Sequence, residues 1–555
     1  MTAKRLRSKV RTRPDPRERN GSLSLGQDMD ASPYPTHRGR PTMFLVTTTP
    51  AAGDIKNRLG SPAYSYYFAV EALAPVLETL GAWRLIDRPE SRLAFAAARA
   101  EADGFRPIHL AVNPLQDSYF CPGLPNVSFP FWEFSEIPDR DLGDDARQNW
   151  VRICRGASLI LTACEFTAAA FRNAGVAAPV AVVPVPVVPE AFDLEDWEAN
   201  HRWTLACRHE VLSSSSHDSP AMNATDASPS FVQGRAMGRA LFRRISPWLR
   251  PETVERLQRL ASLGRAPKAQ LAPKGLILRL RGAYRTHIRP LLSDSAVARV
   301  TSAKESALRL VGRQPNERLD PLLPTSELTL GGGLVYLSVF SVGDPRKNWR
   351  DLLSAFLLAF RDRADVTLAI KLVTSPRCEF HEVGLLRSAY EAMGIAHRCR
   401  VVVIAQFLDE PQMTNLFRVA TYYINASHAE GACLPLMRAL AGGRPAIAPD
   451  HTAMTDYVDS SVAFVPRSHP EPACWPHDPE KRLETLRFRL VWSDLRDHLL
   501  RSAEVAEREP AVYQKMAIAA RRRMRAYADR DQVATALRLA LRSLDEDEAP
   551  LAESA

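Results

Sequence analysis

Asn425-Ala-Ser-His-Ala-Glu-Gly-Ala-Cys-Leu-Pro-Leu-Met-Arg-Ala-Leu-Ala-Gly-Gly-Arg-Pro445 begins inside the run Thr421–Ser427, which reads as a buried strand. A loop with His428, Glu430 and Gly431 follows. A short helix then opens, with Pro435 in its first turn and Gly442–Gly443 at its end. The free N–H groups at such a helix start suit a diphosphate or a sugar hydroxyl. Glu430 could accept hydrogen bonds from sugar hydroxyls, or could simply cap the helix. His428 taken alone reads as a loop histidine with an internal partner.

The same strand–loop–helix rhythm extends in both directions. Downstream of residue 330, Leu334–Phe340, Val366–Val373, Arg400–Phe407, Thr421–Ser427, Arg444–Pro449 and Val462–Pro466 read as strands. Trp349, Leu352, Leu353, Phe356 and Phe360 fall on one face of the helix after the first of these. Upstream, Met43–Thr49, Trp83–Asp87, Pro107–Pro114, Asn126–Trp132, Ser158–Cys164 and Val180–Val187 form a second set. Val70, Leu73, Leu77 and Leu80 recur at helical spacing between its first two members, and Gly81 closes that helix. Repeated βαβ units predict doubly wound parallel sheets, one in each half of the chain. Ligands of such sheets bind beyond the carboxyl ends of the strands, where loops and helix starts converge.

A chain of 555 residues has room for this doubling. Its hydrophobic share of 46% and charged share of 24% describe an ordinary globular protein. There is no run of eighteen apolar residues to span a membrane, and the Arg-, Pro- and Ser-rich start lacks the apolar centre of a secretory signal. Eight scattered cysteines without a C-x-x-C pair read as reduced thiols, so a cytoplasmic location is expected. The net charge of +9 is unevenly spread: residues 234–313 hold eighteen Lys/Arg against four Asp/Glu, which leaves the remainder of the chain at −5. Two basic stretches there, Ala236–Leu260 and Gly275–Leu292, read as helical. The first mixes Leu241, Phe242, Ile245, Trp248 and Leu249 with Arg239, Arg243, Arg244 and Arg250. An anionic membrane surface is a candidate partner for this segment, a solvated helical linker is the alternative, and nucleic acid is not expected.

Glu430–Ala448 resembles the donor-binding motif of retaining GT-B glycosyltransferases of the family 4 (group 1) type, roughly E-G-F-G-L-P-L-x-E-A-M-A-x-G-x-P-V-I-A. Arg438 stands where that motif has its second glutamate, which in the family holds the ribose; an arginine there could instead meet a phosphate. Ser341-Val-Gly-Asp-Pro-Arg-Lys-Asn-Trp-Arg-Asp-Leu-Leu353 is similar to the family's R-K-G-x-D-x-L-L loop, whose cations neutralise the donor diphosphate. Phe129-Pro-Phe-Trp-Glu-Phe-Ser-Glu-Ile-Pro138 resembles the W-E-x-x-x-x-P segment of bacterial mannosyltransferase-like members, on the acceptor side.

The resemblance implies two Rossmann-like domains facing across a cleft, with a basic, mainly helical insertion between them. The implied division is a disordered tail 1–41, an acceptor domain 42–195, the insertion 196–330, a nucleotide-sugar domain 331–520 and a C-terminal helix with an acidic tail over 521–555. It implies Arg346, Lys347 and Glu430 as catalytic, and Gly60, Gln406, Leu408, His428, Gly431, Ala432, Cys433, Leu434, Arg438 and Asp456 as donor-binding. Trp132, Glu133 and Glu136 are implied on the acceptor side, with core packing the alternative for Trp132 and Phe134. No cofactor and no metal are expected: the nucleotide sugar is a substrate, and the two cations supply the electrostatic stabilisation. The implied activity is retaining transfer of a hexose, with mannose a candidate, to a glycan or lipid-linked acceptor in cell-surface polysaccharide synthesis. The Arg438 departure leaves open a catalytically impaired binding subunit built on the same fold.

Overall fold

The computed structural model describes residues 36–37, 40–49, 64–141, 146–213, 323–375, 378–475, 478 and 481–546. Gly60, the basic segment 234–313 and the two helices expected in it lie outside these residues.

The first lobe is built on strands β1 (Thr36–His37), β2 (Arg40–Thr48), β3 (Ala82–Leu85), β4 (Arg106–Val112), β5 (Asn126–Ser128), β6 (Leu159–Thr162) and β7 (Val180–Val182). β2 pairs in parallel with β3 on one side and β4 on the other, and β5, β6 and β7 continue outward from β4. β1 folds back antiparallel on the start of β2. The final residues of the expected tail are therefore strand, because Arg40–Pro41 pair with Thr36–His37.

Helix α1 (Tyr64–Leu80) follows β2, and buries Ala69, Val70, Leu73, Val76, Leu77 and Leu80 on the sheet. A Cβ at Gly81 would come within 2.5 Å of the Thr42 carbonyl oxygen, so the turn from α1 into β3 requires glycine. Helices α2 (Pro89–Ala102), α3 (Trp150–Ile153) and α4 (Glu165–Asn173) complete the lobe, and α5 (Pro189–Phe192) lies on the way out.

Strand β8 (Arg202–Leu212) pairs antiparallel with β9 (Thr325–Gly331) and with β12 (Arg400–Ile404), at the edge of the second sheet. The remaining strands of that sheet are β10 (Leu334–Phe340), β11 (Val366–Leu372), β13 (Tyr422–Ile424), β14 (Ala446–Ile447) and β15 (Ala463–Phe464). Their order is β15-β14-β13-β10-β11-β12, all parallel. Residues 202–212 and 325–330, expected as insertion, are thus an antiparallel extension of the second sheet. Cys207, Leu328 and Leu330 are fully buried in that lobe's core, which is the physical reason they pair there.

Helices α6 (Trp349–Ala359), α7 (Glu379–Met393), α8 (Glu410–Val419) and α9 (Leu434–Ala441) connect these strands. The expected apolar face of α6 buries Trp349, Leu352, Leu353 and Phe356. The sequence beyond residue 480 reads as uniformly helical, but β16 (Ser468–Cys474) and β17 (Glu484–Leu490) form an antiparallel hairpin first. Helices α10 (Trp492–Arg508), α11 (Pro510–Ala528) and α12 (Arg530–Leu541) end the described chain together with a last short turn of helix.

α12 does not stay with the second lobe. Val533, Ala534, Leu537 and Ala540 pack into the first lobe's core against α1. The chain therefore passes between the lobes twice. The two passages touch, since Val187 N–H donates to the Ala528 carbonyl at 2.9 Å.

A buried polar chain fixes the interior of the first sheet. The Asn126 amide donates to the Cys121 and Leu124 carbonyls at 2.9 and 2.8 Å, and its oxygen accepts the Cys121 N–H. That oxygen faces His109 Nδ1 at 2.9 Å, so Nδ1 carries the proton and Nε2 accepts the Thr47 hydroxyl at 3.0 Å. His109 is fully buried, and burial pulls its pKa down from 6.5 to about 4. As pH falls below 6.5 the unfolded chain protonates this group while the fold keeps it neutral. The loss of stability is complete near pH 4 and amounts to roughly 3 kcal/mol. His109→Gln is expected to be less stable at neutral pH yet to show a flatter acid slope in urea unfolding between pH 6.5 and 4. An unchanged slope would contradict this.

Candidate functional site

In the second sheet the strand order reverses between β10 and β13, and the loops after these two strands carry the motif residues. After β10, Asp344 caps the turn Pro345–Lys347 by accepting the Arg346 N–H at 3.0 Å. Asn348 follows in a left-handed conformation, φ 46°, and the chain enters α6. After β13, Ser427 to Glu430 double back, and the His428 N–H donates to the Arg346 carbonyl at 2.7 Å. The two loops are thereby joined through their backbones.

Lys347 Nζ donates to Glu430 Oε1 at 2.7 Å, and the same oxygen accepts the Ser427 hydroxyl at 2.6 Å. The Glu430 backbone N–H reaches the Thr452 hydroxyl at 3.0 Å. Glu430 is buried. Burial pushes its pKa up, but Lys347 and Arg346 outweigh that and hold it below the usual range. Burial opposes the charges on Arg346 and Lys347 in turn, and the surrounding carboxylates overcome it, so both stay firmly protonated. A small cavity between β10 and β13 is lined by Lys347, Glu430, Asn425, Ser427 and Tyr423.

The first lobe meets this cluster directly. Glu133 Oε1 lies 3.0 Å from Arg346 Nη1, while Asp344 holds Nη2 at 2.7 Å. The Glu133 segment is fixed from both sides. Tyr66 of α1 accepts the Phe131 N–H at 2.8 Å and stacks on its ring. A Cβ at Gly431 would come within 3.3 Å of the Trp132 carbonyl oxygen, so glycine permits the loops of the two lobes to close on each other. Tyr64, at the start of α1, also senses the charges of Lys347, Glu430, Asp344 and Arg346. The sequence reading does not single it out, since nothing in its local pattern distinguishes it from a helix-start aromatic.

Arg346, Lys347, Glu430, Glu133, His428 and Gly431 are therefore brought together. His428 Nδ1 donates to the Phe488 carbonyl at 2.9 Å, and burial lowers its pKa, so the ring is neutral. Cys433 takes the position of the second motif glycine and adopts φ 60°, ψ 58°, a left-handed conformation that costs a non-glycine residue about 1–2 kcal/mol. Asn425 Nδ2 approaches its sulfur at 2.8 Å. The Ala432 carbonyl accepts the Tyr457 hydroxyl at 2.8 Å, and Leu434 packs against the cores of both lobes.

The other expected site residues have partners of their own. Arg438 pairs with Glu410 through Nη2–Oε1 at 2.5 Å and Nη1–Oε2 at 3.0 Å, and lies over the Phe417 ring. Its charge is matched by a carboxylate of α8. Gln406 accepts the Arg208 N–H at 3.3 Å, and Leu408 is buried in the core. Asp456 accepts the Glu165 N–H at 3.0 Å, and so caps α4 across the lobe boundary. Trp132 is buried among Phe134, Trp150 and Trp475, where its ring is core rather than a platform for a sugar. Glu136 is exposed beside Ser135 and touches none of the cluster.

Two doubly wound parallel sheets with their strand-end loops in contact constitute the GT-B architecture. No protein-family model matches the chain, and no curated protein matches it. Solved structures similar to it include Anabaena HepE in complex with UDP and glucose, at 11% identity and TM-score 0.43, covering 91% of this chain and 100% of that one. The sucrose-phosphate synthase of Thermosynechococcus elongatus is similar at 12% identity and TM-score 0.45, over 91% and 100% of the two chains. A glycosyltransferase of Rickettsia africae is similar at 8% identity and TM-score 0.45, over 91% and 99%.

The Lys347–Glu430 pair is the buried charge contact of this cluster, and removing one partner leaves the other uncompensated. Glu430→Gln is expected to cost about 3 kcal/mol in denaturant unfolding. The double variant Lys347→Met/Glu430→Gln should cost clearly less than the two single changes added together. Additive costs would show that the pair is not coupled.

Proposed function

We propose that this chain transfers a hexose from a nucleotide sugar to a glycan or lipid-linked acceptor with retention at the anomeric carbon. One observation carries the reading: Arg346, Lys347 and Glu430 converge where the order of the second sheet reverses, facing the first lobe. A donor diphosphate placed there meets two fixed cations. As the glycosidic C–O bond breaks, negative charge grows on the leaving phosphate, and the cations stabilise it without reorganising. Glu430 orients Lys347 and offers a carboxylate oxygen to a sugar hydroxyl. The departing phosphate assists deprotonation of the acceptor on the same face, so positioning and charge account for the rate, and no protein nucleophile is assigned.

Mannose, a role in cell-surface polysaccharide synthesis and a cytoplasmic site of action belong to the same proposal. They rest on the resemblance of the Trp132–Glu133 segment and on eight scattered cysteines that stay free thiols. Peripheral attachment to the inner membrane face is proposed through residues 234–313. No helix among the described residues is long and apolar enough to cross a membrane.

A second reading is favoured by one contact. With Arg438 committed to Glu410, this helix offers no carboxylate to a ribose at that position, which suits a subunit that binds a sugar nucleotide without turnover.

A panel of UDP-, GDP- and ADP-sugars should contain one that raises the melting temperature, and Glu430→Ala should abolish that shift. The stabilising donor should also support transfer or slow hydrolysis. Stabilisation with neither activity would select the binding subunit, and no shift with any donor would sink both readings. The full-length chain should also bind anionic vesicles at low salt and release them as salt rises. Absence of binding at low salt would reject the membrane attachment.

A further inference from the structure

The charge cluster at the lobe junction is over-neutralised by carboxylates. Among the described residues, Arg346 and Lys347 face Asp344, Glu430 and Glu133, two cations against three carboxylates. An incoming diphosphate would add at least two more negative charges to this set.

The three carboxylates are not equally free to leave. Asp344 is bound to the backbone and side chain of Arg346 within the same turn. Glu430 is held by Lys347 and Ser427 from its own lobe. Glu133 alone comes from the opposite lobe, and among the described residues Arg346 is its ion-pair partner. Its backbone is anchored by the buried rings of Trp132 and Phe134 on either side, so only the side chain has to turn. The contact is also aimed rather than incidental, because Gly431 sets the Trp132 backbone against the donor loop.

We infer that Glu133 is a cross-lobe stand-in for the donor: its carboxylate occupies Arg346 until a diphosphate displaces it, and only then does it face the acceptor. This rests on the donor site proposed above. The exchange keeps Arg346 charge-paired throughout, since one anionic group replaces another on the same guanidinium. It also sets an order. Before the donor arrives, Glu133 Oε1 is engaged by Arg346, and the carboxylate is turned toward the donor loop. After displacement it stands on the first-lobe side of the junction with its oxygens unpaired. Glu133 is then a positioning residue for the acceptor as well as a competitor of the donor.

Calorimetric titration of the full chain with UDP, GDP and ADP tests this in wild type, Glu133→Gln and Arg346→Ala. The amide keeps the shape of Glu133 and removes its charge. The nucleoside diphosphate that binds best is expected to bind Glu133→Gln about three- to tenfold more tightly, and Arg346→Ala at least tenfold more weakly. With Glu133→Gln, the KM for acceptor should rise while that for donor falls, a split that a purely structural role would not produce. Unchanged or weaker binding by Glu133→Gln, with binding still lost in Arg346→Ala, would overturn the inference and leave the donor site standing. No binding by wild type or Glu133→Gln would overturn both. A melting temperature for Glu133→Gln close to wild type without ligand, read alongside the titration, separates loss of charge from loss of fold.

Discussion

Mutual charge compensation at the lobe junction is the constraint on which the rest of this structure depends. A lysine or arginine withdrawn from water needs counter-charges or hydrogen-bond acceptors fixed around it. Here those are supplied by Glu430 from the loop after β13, Asp344 from the loop after β10, and Glu133 from the other lobe. Each carboxylate needs its own loop geometry: the Asp344 cap, the return at Ser427–Glu430, and the glycine at 431 that allows the lobes to meet. The parallel sheets behind them bring those loops to one place. The scaffold and the site are therefore one problem, in which strand order puts the loops together and ion pairing keeps them there.

The junction is held by more than charge. The β16–β17 hairpin reaches out of the second lobe, and places Trp475 and Leu483 in the first lobe's aromatic core with Trp132 and Trp150. The Leu486 N–H donates to the Ser135 hydroxyl, and Phe488 bonds His428 through its backbone. α12 returns to α1 on the far side. Apolar burial thus fixes the relative position of the lobes at both ends, and polar groups are left to work between them.

How much of this was legible in the sequence follows from how local each signal is. The parallel strands stood out because Val401–Ile404 or Leu334–Leu337 must be apolar on both faces when helices cover both. Arg346, Lys347 and Glu430 are grouped by the resemblance of their loops to known motifs; Lys347 ion-pairs with Glu430, while Arg346 pairs with Asp344 and Glu133. The hairpin escapes the sequence reading because β16 and β17 are largely exposed and polar, and the first-lobe residues it packs on, Trp132 and Ser135, lie hundreds of residues earlier. β8 and β9 lie far apart in the chain, and are fixed by pairing with each other and with β12 and by burying Cys207, Leu328 and Leu330 in the core. Arg438 could be seen as a departure from the motif, but not that Glu410 would answer it. Trp132 and Asp456 look functional by position, while packing and a cap across the lobes account for where they sit.

A crystal structure of the full chain with bound nucleoside diphosphate tests the central claim most directly. The account predicts phosphate oxygens within about 3 Å of both the Arg346 guanidinium and the Lys347 ammonium. It also predicts the Glu133 carboxylate turned away from Arg346. A diphosphate bound elsewhere, or bound with the Glu133–Arg346 pair intact, would contradict it.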